Sequence, residues 1–205
     1  MAVDNEPTVF WDGSDAEERV ASWKAEYFDS AWGNVAPTAL NGPSGAWLTT
    51  NVLAHLEAAD VRSHFVTDCL TTYRLSTGAA ARLADTYERM AATTTGLQSA
   101  QLEEHPSETQ IVHEAIRAQS TRLANQIAAA QPRLLVTLGN AAARVVNKLA
   151  NNNGRGSLNP DTYGRPVDVT ILGTPTRWIA LVHPATPTVW QTRHQEWLDG
   201  GGFRL

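Results

Sequence analysis

The sequence predicts a single-domain α/β protein with three layers, in which a central, mostly parallel sheet of four to five strands lies between two layers of helices. Short apolar segments bounded by glycine, proline or threonine alternate along the chain with longer segments of helical spacing. Such alternation produces parallel strands joined by helices that cover both faces of the sheet. The 205 residues, of which 42% are hydrophobic, are enough for one core, and no repeat or linker divides them. We therefore expect one domain over residues 1–205.

Five segments have the length and composition of strands. They are residues 8–11, 63–70, 131–138, 167–172 and 178–182. The turn between the last two is expected at Thr174-Pro175. The last strand should end at His183-Pro184, because proline stops a strand and fixes the direction of the loop that follows.

Segments of helical spacing lie between these strands. They are residues 15–27 and 79–90 and the segments that follow Gly42 and Gly139. A further helix is expected to begin at Ser107, since Ser107 and Gln110 have the spacing of a capping box, and to extend through Ile127. His105 therefore precedes a helix rather than following a strand, and we set it aside as a site residue.

Composition limits the classes of function. The formal net charge of −5 disfavours DNA binding by bulk attraction, so any phosphate contacts require a local cationic patch. Basic residues of the C-terminal half that are candidates for such a patch, or for an ordinary solvated surface, are Arg144, Lys148, Arg155, Arg165, Arg177 and Arg193. Cys69 is the only cysteine, which excludes an internal disulfide and a four-cysteine iron–sulfur cluster.

No apolar run reaches the length of a membrane span, and the acidic start, residues 1–7, lacks the core of a signal peptide. We therefore expect a soluble, cytoplasmic protein with no membrane partner. No group of residues predicts a metal site, and we expect no cofactor. The expected oligomeric state is a monomer.

Four segments in a fixed order carry a resemblance to a known family. The first is the glycine-rich turn Asn41-Gly42-Pro43-Ser44-Gly45-Ala46-Trp47-Leu48, and the second is the strand of residues 63–70 that ends at a polar residue. The third is the strand, glycine turn and helix of residues 131–146, and the fourth is the His183-Pro184 strand end. In order and spacing these segments resemble the uracil-DNA glycosylase superfamily over residues 32–198, while residues 1–31 match it poorly.

The resemblance implies that the protein binds DNA, flips a nucleotide out of the duplex and excises its base. It gives His183 the role of stabilising the departing base, although a strand-end histidine also serves as a structural residue. It places Asp68, Thr67 and Leu40 against the base. The residues that it would place against DNA are Gly42, Ser44, Gly139, Asn140, Pro184, Thr186, Pro187, Thr188, Val189, Trp190 and Arg193. The expected wedge that enters the duplex is Pro187, Val189 or Trp190, and Trp190 is equally compatible with a core position.

Asp68 departs from the asparagine that is usual at the base-recognition position of the family. An ionised aspartate only accepts hydrogen bonds, which suits the exocyclic amine of cytosine and does not suit uracil. If burial raises its pKa, the protonated acid also donates to N3. The alternative is a strand-end aspartate that caps the next turn.

The N-terminal motif of the family, which positions water, has no clean counterpart here. Asp12, Asp15 and Asn34 are the candidates for that role, and Asp15 has an alternative role as a helix cap. Leu40 stands where relatives often carry a phenylalanine that stacks on the base, so the pocket wall has room for a substituent on C5 of the pyrimidine.

Together these residues predict a DNA glycosylase for a modified cytosine, such as the hydroxymethylated or glucosylated cytosine of phage DNA, with a role in phage defence. A uracil-DNA glycosylase of base-excision repair and a catalytically inactive DNA-binding protein of the same fold are the alternatives. An unrelated nucleotide-binding protein is disfavoured, because the turn at Gly139 lacks the G-x-G-x-x-G pattern.

Overall fold

A computed structural model describes residues 18, 21, 42–61, 64–71, 81, 85, 88–93, 95, 105–151, 156–184, 186 and 188–203. The predicted strand at residues 8–11 and nearly all of the predicted helix at 15–27 lie outside these residues. The candidate site residues outside them are Asp12, Asp15, Asn34, Leu40 and Pro187.

The sheet of the described residues has three strands, β1 (Leu134–Leu138), β2 (Val167–Ile171) and β3 (Thr174–Leu181). Their order is β1-β3-β2, with β1 parallel to β3 and β2 antiparallel to β3. The expected sheet of four to five mostly parallel strands is therefore not confirmed within this part of the chain. Residues 64–70 were expected to form a strand, yet only Thr67 makes a bridge there.

The hairpin between β2 and β3 corrects the predicted turn. Leu172 and Gly173 form the turn with φ angles of 46° and 78°, the positive values that two-residue hairpins require. The expected turn residues, Thr174 and Pro175, belong to β3. Pro175 is tolerated in the strand because the pairing of β3 with β1 begins only at Arg177.

The described residues form five α-helices, two of which contain a π-helical turn, and one 3₁₀ turn, Pro160–Thr162. Helix α1 comprises Gly42–Leu48, the π-helical turn Thr49–Leu53 and Ala54–Ala58. Helix α2 is Arg89–Thr93, within and just beyond the predicted segment of residues 79–90. Helix α3 comprises Glu108–Glu114, the π-helical turn Ala115–Gln119 and Ser120–Ala130. Helices α4 and α5 are Gly139–Leu149 and Thr188–Asp199.

The predicted capping box at the start of α3 is confirmed. The Ser107 side chain accepts a hydrogen bond from the Gln110 backbone N–H, and the Gln110 side chain accepts one from the Ser107 N–H at 2.8 Å. These bonds satisfy backbone donors that a helix leaves unpaired at its N-terminus. The helix therefore begins at Glu108, two residues after Pro106.

Side chains alternate between the two faces of the sheet, and each face is covered by two helices. On one face, Ile179 and Leu181 pack with α1 and α5 through Val52 and Leu198. On the other face, Trp178 packs with α4 and α3 in a second cluster that includes Val146 and Ala124. The described part of the chain therefore has the predicted three-layer α/β/α arrangement. Among these residues, none of the helices combines the length and apolar character that crossing a membrane would require.

Candidate active site

The parallel strands β1 and β3 end at the same edge of the sheet, because Leu138 is paired with Leu181. Gly139 follows β1 with a φ angle of +84°, and His183 follows β3 after one more residue. A β-carbon built on Gly139 would lie 2.9 Å from Cβ of His183, which is closer than real β-carbons come. Only glycine allows both this backbone angle and this approach. The two predicted site residues therefore meet at the carboxyl edge of the sheet.

His183 lies on a cleft at this edge, and its charge state depends on neighbours from another element. Burial lowers the pKa of His183, the nearby His105 imidazole lowers this pKa further, and Glu108 opposes the decrease. His105 and Glu108 belong to the entry into α3 and line the same cleft. His105, which the sequence analysis set aside, is thus an electrostatic neighbour of His183.

Asp68 lines the same cleft, where its side chain retains access to solvent. The surrounding protein raises the pKa of the Asp68 carboxyl by desolvation, and the Arg122 guanidinium opposes that rise. Burial also raises the pKa of the neighbouring Cys69 thiol to about 11, so this thiol remains protonated near neutral pH. Of these two neighbouring groups, Asp68 rather than Cys69 is therefore suited to contact a ligand through a charge.

Arg122 of α3 holds the segment that carries Asp68. Its guanidinium donates to the backbone oxygen of Asp68 at 2.8 Å, to that of Cys69 at 3.3 Å and to Oγ1 of Thr67 at 3.1 Å. The same guanidinium donates to Gln119 at 2.7 Å and to Gln126 at 2.9 Å on its own helix. Since this network fixes residues 67–69 in the absence of a regular strand, it explains how Asp68 is positioned.

Thr67 and Asn140 also line the cleft, but their side chains have partners within the protein. Thr67 Oγ1 donates to Gln126 Oε1 at 3.2 Å as well as accepting from Arg122. Asn140 Oδ1 accepts from the backbone N–H of Leu158 at 2.8 Å and so fixes the loop before β2. In this structure both side chains support neighbouring segments.

A buried hydrogen-bond chain fixes the end of β3 just before His183. The Val182 N–H donates to the Tyr163 hydroxyl oxygen at 3.0 Å, and this hydroxyl lies 2.7 Å from Nδ1 of His194. His194 Nε2 lies 3.1 Å from the backbone oxygen of Asn51, which only accepts. Nε2 therefore carries the proton, and Nδ1 accepts from Tyr163. Burial lowers the pKa of His194, which favours this neutral form.

The remaining predicted DNA-contacting residues fall into two groups. Those that line the cleft are Ser44, Gly139, Asn140, Pro184, Thr186 and Trp190. Val189 is outside this group and is 71% exposed at the start of α5, whereas Trp190 also packs against the core, with its ring 5.8 Å from that of Tyr163. The contacts of Trp190 favour its core alternative and leave Val189 as the exposed apolar candidate. Arg193 lies on the surface beside Glu196, and the atoms Nε and Oε2 are 3.9 Å apart.

Several residues that shape this site were missed by the sequence analysis. Arg122 and Tyr163 bond to backbone atoms 19 to 54 residues away in the chain, and Gln191 donates to backbone oxygens of the His183 loop, 5 to 8 residues earlier. Such contacts produce no recognised sequence motif. The π-helical turn Ala115–Gln119 is also without a recognised motif, although π-helical turns are frequent near functional sites. The His105-Pro106 pair can be recognised in the sequence, but the electrostatic effect of His105 on His183 depends on how α3 packs.

The cleft is thus lined by an imidazole whose pKa is lowered, a carboxyl group whose pKa is raised and a glycine that lies close to the imidazole. Together these groups offer a hydrogen-bond donor for developing negative charge and an acceptor for an amine. Among the described residues, no group of histidine, cysteine, aspartate and glutamate side chains is arranged to hold a metal ion.

Comparisons with known proteins agree with this architecture. A search of curated proteins found no match to the chain. The family model described as the Uracil DNA glycosylase superfamily matches residues 38–199, which include α1, the Asp68 segment, β1 and the His183 loop. The match covers far more than half of the chain, and the chain therefore belongs to the uracil DNA glycosylase superfamily.

Proposed function

We propose that the protein is a DNA glycosylase that flips a pyrimidine nucleotide out of the duplex and excises its base, a modified cytosine. The observation that carries the proposal is that Asp68 and His183 both line the cleft, with His183 at the carboxyl edge of the sheet. An ionised Asp68 accepts from the exocyclic amine of cytosine. His183 donates to the base as it departs. Membership of the superfamily supports the same chemical class.

In the proposed reaction the bond between N1 of the base and C1′ of the deoxyribose breaks, and its electron pair leaves with the base. His183 donates a hydrogen bond to O2, where negative charge accumulates in the transition state. Because burial lowers its pKa, His183 is neutral near pH 7 and acts through an imidazole N–H. Water adds its hydroxyl group to C1′ and its other proton goes to the base, which leaves an abasic site.

The modification on the cytosine is inferred from selectivity. Excision of ordinary cytosine would damage the host genome, so we assign the activity to cytosine that carries a hydroxymethyl group, free or glucosylated, on C5. Phage DNA contains such bases, and their removal would serve phage defence. Leu40 and the water-positioning candidates Asp12, Asp15 and Asn34 remain part of this proposal, although they lie outside the described residues.

A second candidate is the excision of uracil, and one observation favours it. The pKa of Asp68 is raised by burial, and a protonated carboxyl group has one donor and one acceptor, as an asparagine amide does. Such a group can donate to O4 of uracil and accept from its N3–H. Uracil excision by this route would decrease as the pH rises through the pKa of Asp68. Recognition of cytosine by the ionised form would increase over the same range, so the pH dependence separates the two candidates.

The test is excision from matched single-stranded and duplex oligonucleotides that contain one cytosine, hydroxymethylcytosine, glucosylated hydroxymethylcytosine or uracil. Hot alkali then cleaves the strand at each abasic site. We expect cleavage at a modified cytosine, and we expect His183→Ala to slow it by about two to four orders of magnitude. His113→Ala, an exposed position on α3, is the matched control. Cleavage at uracil alone would support the second candidate, and no cleavage of any strand would favour a binding-only protein.

A further inference from the structure

Gln191 of α5 connects to the loop that carries His183. Its side-chain nitrogen, Nε2, lies 3.2 Å from the backbone oxygen of His183, 3.3 Å from that of Pro184 and 3.4 Å from that of Thr186. The backbone oxygens of these three loop residues thus share one amide donor. Within the described part of this loop, the Thr186 N–H also donates to the His183 oxygen at 3.0 Å.

The orientation of the Gln191 amide is fixed by a tryptophan from another helix. Nε1 of Trp47 donates to Oε1 of Gln191 at 2.8 Å. An indole N–H only donates, so the oxygen of the amide must face Trp47 and the nitrogen must face the loop carbonyls. Trp47 lies two residues after Gly45, in the glycine-rich start of α1, whose residues Ser44 and Gly45 line the cleft.

We infer that Gln191 is a positioning residue that sets the conformation of the loop from His183 to Thr186, with Trp47 fixing the orientation of its amide. The inference rests on the proposed glycosylase function, because it assigns Gln191 to the placement of the His183 imidazole. Through this pair the His183 loop and the Ser44-Gly45 turn keep one relative position. Both segments would then meet the flipped nucleotide as one rigid surface.

This role goes beyond stabilising the fold, because the carbonyls involved belong to a loop and not to a helix or strand. A loop with few buried apolar contacts depends on such bonds for its order. Gln195, one turn further along α5, provides a matched control. Its amide donates only to Asp199 at 2.9 Å on the same exposed face of the helix. Methionine at either position retains length and helix propensity and removes the amide.

The experiment compares wild type, Gln191→Met and Gln195→Met by amide hydrogen exchange and by excision kinetics. In Gln191→Met we expect the Thr186 amide to exchange about tenfold faster, while the amides of β3 are unchanged. We expect kcat for excision to fall about 10- to 100-fold and KM to change less than about threefold, because the imidazole is misplaced rather than removed. Gln195→Met should match wild type in both measurements.

Unchanged Thr186 exchange in Gln191→Met, or equal acceleration in Gln195→Met, would overturn the inference. So would faster exchange with an unchanged kcat in an active enzyme. Trp47→Phe provides a second variant, since it keeps an aromatic ring and removes the indole N–H. It should also accelerate Thr186 exchange, and failure to do so would contradict the role of Trp47. If wild type excises no base, the exchange data still decide whether Gln191 orders the loop, while the proposed function fails separately.

Discussion

Gly139 and His183 lie so close together that a single methyl group on Gly139 would displace the histidine. The added β-carbon would lie 2.9 Å from Cβ of His183, at a backbone φ angle of +84°. The glycine after β1 therefore determines where the imidazole after β3 lies. This contact explains why a glycine turn on one strand accompanies a histidine on its neighbour.

Gly139→Ala should reduce excision by about 10- to 100-fold, because the displaced imidazole no longer reaches the departing base. The positive φ angle should also cost about 1–2 kcal/mol of unfolding free energy. Gly173→Ala is the control, since Gly173 has a φ angle of +78° but no atom within 4 Å of its built β-carbon. Both variants should lose stability in urea denaturation, Gly139→Ala more than Gly173→Ala because of its contact with His183, and only Gly139→Ala should lose activity. Equal activity in the two variants would contradict the role of the contact.

The pKa of His183 should respond in opposite directions to its two charged neighbours. His105 lowers this pKa and Glu108 raises it, so His105→Asn should increase the pKa and Glu108→Gln should decrease it. NMR titration of the His183 ring protons measures both changes. The acid limb of the excision rate should shift in the same direction as the pKa. His113→Asn, on the exposed face of α3, is the control and should change neither the pKa of His183 nor the acid limb. An unchanged pKa of His183 in the first two variants would place His105 and Glu108 outside the site.

Much of this arrangement was predictable from local pattern. The capping box at Ser107, the helix after Gly139 and the strand that ends before His183 are each specified by neighbouring residues, and each is confirmed. The hairpin was predicted two residues too late because proline at position 175 indicated a turn. Pro175 can pair with Thr170 inside β3 only because the pairing of β3 with β1 starts further along the strand. The sequence does not reveal where that pairing starts.

The segment before Asp68 shows a different limit of prediction from the sequence. Its apolar composition predicted a strand, but Arg122 satisfies the backbone oxygens of Asp68 and Cys69 in place of a neighbouring strand. A guanidinium that is 54 residues away in the chain leaves no periodic signal. The position of Asp68 at the cleft was thus expected from the family resemblance, while the group that holds it was not.

Arg122→Gln should both loosen this segment and raise the pKa of Asp68 further, since the guanidinium is the group that lowers it. If ionised Asp68 recognises cytosine, the excision rate of the variant should reach its plateau at a higher pH than that of wild type. Arg117→Gln, an exposed position on the same helix, is the control for charge. A pH profile identical to that of wild type would show that Arg122 does not influence the base-recognition group.

Alanine substitutions of Val189 and Trp190 should show that the first residue is a DNA wedge and the second a core residue. Val189 is 71% exposed, so Val189→Ala should leave stability within about 0.5 kcal/mol of wild type and slow excision from duplex more than from single strands. Trp190 packs against the core, so Trp190→Ala should reduce the unfolding free energy by about 2–4 kcal/mol. Denaturation curves and the ratio of duplex to single-strand rates measure these effects. Equal losses of Val189→Ala on both substrates would remove it from the wedge.

Asp68 provides the most direct test of the central claim, which is that its carboxylate selects a cytosine-type base. Asp68→Asn keeps the shape and replaces an acceptor oxygen with a donor. Each base contact contributes about 1–3 kcal/mol of discrimination, which corresponds to about 10- to 100-fold in rate. Asp161→Asn, in the exposed 3₁₀ turn Pro160–Thr162, is the matched control.

The measurement is the excision rate of wild type, Asp68→Asn and Asp161→Asn on oligonucleotides that differ only in one base, namely cytosine, glucosylated or hydroxymethylated cytosine, or uracil. We expect wild type and Asp161→Asn to prefer a modified cytosine. We expect Asp68→Asn to lose about 10- to 100-fold on that base and to gain activity on uracil. A wild-type preference for uracil, or an unchanged preference in Asp68→Asn, would contradict the assignment of Asp68 as the residue that selects cytosine.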